Sequence, residues 1–128
     1  MGVLFKGIYS KFSGDIAGLK LAITDLYLTE AIQGAIYPYC VYHKISGVPN
    51  YTYTEEAENV IIQFDLYDDS SSSTNINTAF SALTALFDWC SLTVTGWNSI
   101  YMRRELDNLS RENDTWHYIV QYRLEIQK

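Results

Sequence analysis

Residues Thr115–Gln127 alternate almost without fault. Trp116, Tyr118, Val120, Tyr122, Leu124 and Ile126 take one parity, while Thr115, His117, Gln121, Arg123 and Glu125 mostly take the other. Side chains project to opposite faces of an extended chain with period two, so such a run folds as a strand with one dry face and one wet face. A strand this long needs neighbours on its edges and an apolar layer over one side. The expectation is therefore an antiparallel sheet covered on one face only.

The rest of the chain supplies both requirements. A second alternating run, from about Ala57 to Asp68, sets Val60, Ile62, Phe64 and Leu66 inward, with Asn59, Ile61, Gln63, Asp65 and Tyr67 outward. From Tyr39 another period-two stretch puts Tyr39, Val41, His43 and Ile45 on one face and Cys40, Tyr42 and Lys44 on the other, with His43 read as inward. Pro38 keeps Tyr37 out of helical geometry just before it. Residues 47–56 form a loop or the arms of an extended hairpin. A further strand is expected around Ser99–Leu106, with Ile100, Met102 and Leu106 in phase. Arg104 shares that face, which points to an edge strand or a face that an adjoining subunit covers. Leu109–Asp114 reads as a polar turn.

Helical spacing appears at two places. Val3, Leu4, Ile8 and Phe12 predict a short first helix, broken by Ser13-Gly14-Asp15. Ile76, Phe80, Leu83 and Phe87 form one stripe over about 74–89, widened by Ala79 and Leu86. The preceding Asp68-Asp69 and serine run look like a helix entry, because their oxygens can accept free amide protons and acids favour the positive end of the dipole. Residues 16–36 lack one clean period and are read as a helical turn followed by a strand or extended piece. One domain over 1–128 is expected: α+β, a single mainly antiparallel four-stranded sheet with helices on one face, in the order α-β-β-α-β-β.

Charge narrows the partners. The formal net charge is −6, and residues 47–90 hold every excess acid, with seven carboxylates and neither Lys nor Arg. Gripping nucleic acid through its phosphates needs clustered cations, so no sequence-specific nucleic-acid binding is expected. Solubilising charge is the plain reading, and an acidic surface also suits a wall past which DNA slides. Cys40 and Cys90 lack a CxxC motif or paired histidines and read as free thiols. No apolar run approaches bilayer length and no signal-peptide core opens the chain, so a soluble protein made in the cytoplasm, without membrane contact, is expected.

No phosphate loop, GxGxxG, GxSxG or HExxH occurs. His43 and His117 are the only groups titrating near neutrality, and nothing local supplies them with partners. Asp65, Asp68 and Asp69 lack the glycine and bidentate glutamate of a calcium loop and read instead as a helix-entry turn. Trp89, Trp97 and Trp116 have no interleaved cations for base stacking and read as core. No catalytic residue, metal ligand or cofactor is expected, and a chain without a reactive constellation suits assembly by shape.

Several segments together resemble the tail-completion or tail-terminator proteins of long-tailed bacteriophages. These are LFKGIYSKFSGD, AIYPYCVYHKISG around Pro38, NVIIQFDLYDDSSSST leading into INTAFSALTALFD, and the closing WHYIVQYRLEI. The resemblance implies a ring, usually hexameric, on the head-proximal end of a tail tube, with the tube protein and the head–tail connector as partners and DNA passing through. It implies a place at the head–tail junction of the virion and no enzymatic activity. Candidate subunit-interface residues are Tyr51 and Tyr53, on an arm that reaches a neighbour, and Trp97 and Tyr101. Two alternatives stand beside this reading: a head-completion or connector-docking protein, and a small-ligand-binding α+β domain.

Overall fold

Alternation and helical stripes meet in one sheet with a single helical cover. The computed structural model describes residues 2–51, 56–94 and 96–127. In chain order the elements are α1 (Gly2–Gly14), α2 (Leu19–Ala22), β1 (Leu26–Leu28), β2 (Tyr39–Tyr51), β3 (Glu56–Asp68), α3 (Thr74–Phe87), β4 (Thr93–Val94), β5 (Trp97–Glu112) and β6 (Thr115–Gln127). The sheet order is β1-β2-β3-β6-β5-β4. All pairs are antiparallel except β1 with β2.

The core lies between this sheet and the helices. Leu4, Ile8 and Phe12 of α1 and Ile76, Ala79, Leu83 and Phe87 of α3 are buried against Cys40, Tyr42, Val60, Ile62, Phe64, Leu66, Met102, Val120, Tyr122, Leu124 and Ile126. Each such aliphatic or aromatic side chain stabilises the fold by roughly 1.5–3 kcal/mol through lost water contact. Phe64 sits at the centre, its ring 4.9 Å from that of Phe87, 5.8 Å from Tyr122 and 5.9 Å from Tyr42. Tyr42 donates to the Phe5 carbonyl at 3.2 Å, and burial pushes its phenol up to about 12. Tyr122 donates to Asp88 Oδ1 at 2.5 Å, and Arg104 holds the other oxygen at 3.4 Å. Burial first, and then Asp88, push the Tyr122 phenol far above its ordinary range. The sheet therefore presents two tyrosines to the helices, Tyr42 and Tyr122, whose hydroxyls both find partners.

The structure differs from the sequence-based expectation in four respects. The four long strands are β2, β3, β5 and β6, but the sheet has six strands, because short β1 and β4 pair at its two edges; two or three residues carry too little pattern to be seen. The order is accordingly α-α-β-β-β-α-β-β-β. The stretch 109–114 is not a polar turn: β5 continues to Glu112, and only Asn113 and Asp114 turn, with φ of 50° and 62°. Two left-handed residues make the tight hairpin whose twist matches the strands, a conformation that Asn and Asp tolerate. Lastly, bulges in β5 between Ser99 and Met102 and between Arg104 and Leu106 break the expected phase, so Met102 is buried while Leu106 is 49% exposed.

The weakly patterned segment 16–36 does hold a helical turn and then a strand. Its aliphatics are irregular because many face outward: Ile16, Leu21, Ile32 and Ile36 are 65–78% exposed. The serine run is held at both ends of its turn. Ser72 Oγ accepts the Thr74 amide at 3.2 Å, while the Ser70 and Ser71 carbonyls receive Trp116 Nε1 and Arg111, each at 3.0 Å.

Candidate assembly surface

The sheet face away from the helices is set by the outward parity of its strands. Across β2, β3 and β6 this parity brings Val41, His43, Gln63, Asp65, Tyr67, His117, Ile119 and Gln121 onto one surface. His43 belongs here rather than in the core, because Cys40 and Tyr42 take the inward parity of β2. Asp65 is only 5% exposed although no helix covers it. His117 Nε2 lies 2.8 Å from its Oδ1, His43 Nδ1 lies 3.6 Å from its Oδ2, and Gln63 Nε2 reaches both oxygens at 3.0 and 3.2 Å. Gln121 extends the row by donating to Gln63 Oε1 at 2.8 Å.

Aromatic side chains continue this row. The Tyr67 ring stacks on His117 at 4.5 Å, Tyr39 lies 5.4 Å from Tyr67, and Tyr27 and Tyr37 lie 5.9 and 5.1 Å from Tyr39. Further along, Glu105 accepts from Arg123 Nε at 2.8 Å and from Arg103 at 3.1 Å. Those two guanidinium groups, Arg103 first, hold its carboxyl below the usual range. A shallow groove of about 510 Å³ runs beside Asp65, lined by Ile32, Tyr39, Val41, His43 and Tyr67.

This arrangement can orient charge and hydrogen bonds, but it does not converge on a reacting atom. The two imidazoles approach different oxygens of Asp65 from strands on opposite sides of it, so they do not surround one point. Among the described residues no group of three or more His, Cys, Asp or Glu side chains is placed to hold a metal ion. Both thiols are free, and burial pushes Cys40 well up, which leaves it an unreactive thiol. Among the described residues no helix is long and apolar enough to cross a membrane.

Of the candidate interface residues, Tyr51, Trp97 and Tyr101 fall at one end of the sheet. Tyr51 closes β2, and Trp97 opens β5 beside Val94, half-buried against the core. Tyr101 follows within β5, and Tyr53 lies outside the described residues. The segment 47–56 is mostly hairpin arm, since β2 runs to Tyr51 and β3 starts at Glu56. Trp116 packs half-buried against the core as expected, but Trp89 is 64% exposed. Asp65 belongs to the open-face network and not to the helix entry, because its parity is opposite to that of Asp68, which is buried. The His43–Asp65–His117 grouping escaped the sequence reading: its members come from three strands, and only the pairing register brings them together.

No protein-family model matches the sequence, and no curated protein matches it. Among solved structures, a chain from the "Virion of native gene transfer agent (GTA) particle" is similar, with a TM-score of 0.87 at 12% identity. The likeness covers 99% of this chain and 96% of that one. At that identity it is a likeness of fold.

Proposed function

We propose that this chain is a structural subunit of a phage-type virion, assembling as a ring at the head-proximal end of the tail tube. In this reading it ends tube polymerisation and offers the surface to which the head connector joins. It has no enzymatic role; its partners are further copies of itself, the tail-tube protein and the connector, and DNA passes through the ring. The observation that carries the reading is the end-to-end fold likeness to a chain of a gene transfer agent virion. The shape agrees with it: an open sheet face on which His117 and Gln63 bond to Asp65 and Gln121 bonds to Gln63, and a groove too shallow to enclose a substrate.

Deleting the gene and viewing the particles by electron microscopy tests the role. Overlong tails are the expected result. Normal-length free tails beside unjoined heads would instead assign the chain to connector docking. A metabolite that raises the unfolding temperature by several degrees would overturn both in favour of a ligand-binding domain seated in the groove beside Asp65.

A further inference from the structure

The two edges of the sheet match each other. On the β5 side, β4 covers Trp97 and Asn98, and the backbone of Trp89 and Cys90 covers Met102. Among the described residues no backbone pairs with the outer edge beyond Arg104. On the other side β1 is the edge, covering residues 40–42 of β2.

Following partners across the sheet gives three unbroken rows. Leu26 aligns through Cys40, Leu66 and Tyr118 with Leu109; Tyr27 through Val41, Asp65 and Ile119 with Asn108; and Leu28 through Tyr42, Phe64 and Val120 with Asp107. The open stretch of β5 therefore stands level with β1, and the chain of pairings makes the two run antiparallel. Their pleats are also in phase, because residues sharing a row share a face. Both edges carry exposed apolar side chains: Leu28, Ile32 and Ile36 at 44, 65 and 70% beside β1, and Leu106 and Trp89 at 49 and 64% beside β5. Exposed apolar groups gathered on two edges mark contact surfaces.

We propose that copies of this chain join side by side, residues 107–109 of β5 in one copy pairing antiparallel with Leu26–Leu28 of β1 in the next. Trp89 and Leu106 then meet the apolar loop that follows β1. The contact is head-to-tail and adds no slip along the strands from one copy to the next, so the repeat can close on itself. It deepens the ring reading above and rests on it for the partner being a second copy. β1 has three residues, and the Leu26 amide is already held by Asp25 at 2.8 Å. One contact alone is therefore weak, which protects the free edge from indiscriminate pairing.

Disulfide trapping tests this. Opposed residues in antiparallel strands have Cβ atoms about 4.5–5.5 Å apart, close to the reach of a disulfide. In a Cys90→Ala background, the double variant Tyr27→Cys/Asn108→Cys is oxidised at high protein concentration and run without reductant. A covalent ladder is expected, collapsing on reduction. Each single variant should stay monomeric, and a mixture of the two singles should stop at dimers. The pair Leu28→Cys/Asp107→Cys, at two exposed positions, repeats the test should the first variant fold poorly. Homotypic dimers of a single variant would overturn the proposal by showing a two-fold contact. Absence of links from both pairs would overturn it too, and native mass spectrometry of the unmodified protein then separates the cases. Rings without links remove this contact and leave the ring reading standing. Monomer alone, with no links, removes both.

Discussion

The two faces of the sheet solve burial in opposite ways. Toward the helices, Phe64 is fully buried in an aromatic cluster and gains stability from area and packing. One residue later, Asp65 is nearly as inaccessible, but on the uncovered face, where two histidines and Gln63 surround it. The first site works by excluding water without direction; the second works only while each hydrogen-bonding group keeps its partner. Adjacent positions in one strand therefore fail differently when altered.

The largest test of that contrast is Phe64→Ala, which removes the ring that Phe87, Tyr122 and Tyr42 pack against. A loss of about 3–5 kcal/mol is expected, read from urea unfolding midpoints at unchanged slope. Next is Tyr122→Phe, which keeps the packing but removes the hydrogen bond to Asp88; hydrogen bonds to charged groups contribute roughly 1.5–3 kcal/mol. Because the folded phenol value is raised, its contribution is intact below pH about 10, where the free phenol titrates, and is lost as pH rises toward the folded value. The variant should therefore be less stable than the parent at neutral pH, with the gap closing in alkali. A gap that widened there would contradict the assignment.

Asp65→Ala should cost about 1–3 kcal/mol by stranding its donors, less than Phe64→Ala. Equal losses at 64 and 65 would erase the distinction between the faces. The smallest effect belongs to Glu105→Gln, on the exposed arginine pair, where neutral-pH unfolding temperatures should hardly move. Its folded value is depressed, so what it contributes is present above the ordinary carboxylate range and disappears as the solution is acidified through the folded value. A titration of Tm against pH for parent and variant, converging in acid, checks the sign.

The faces also differ in how far they could be read in advance. The inward parity of β3 and β6 and the stripe of α3 were legible, because apolar burial writes itself as a period along one segment. The helix-face position of Cys40 and Tyr42 was not, since both parities of β2 carry apolar residues: Val41 is buried on the open side as well. The Asp65 network was invisible because hydrogen bonding across strands depends on register, which no single strand encodes. Segment 16–36 lacks a clean period for another reason: Ile16, Leu21, Ile32 and Ile36 face outward and do not answer to this chain's own core. The candidate interface residues Tyr51, Trp97 and Tyr101 were placed by the same fold at one end of the sheet, whereas the level edges emerged only from the pairing.

The bulges have a consequence for how relatives of this chain should vary. Lys44 pairs with Ile62 and Ser46 with Ile61, so Ile45 has no partner of its own; Arg104 pairs with Tyr122 and Leu106 with Gln121, so neither does Glu105. Each is a spare letter in its strand, and cutting it out leaves every downstream pairing in frame. β3 and β6 pair with each other without interruption and hold no such slack. Single-residue gaps in an alignment should gather at 45, 105 and the bulge at 100–101, while one inserted in the central pair would turn an entire strand inside out.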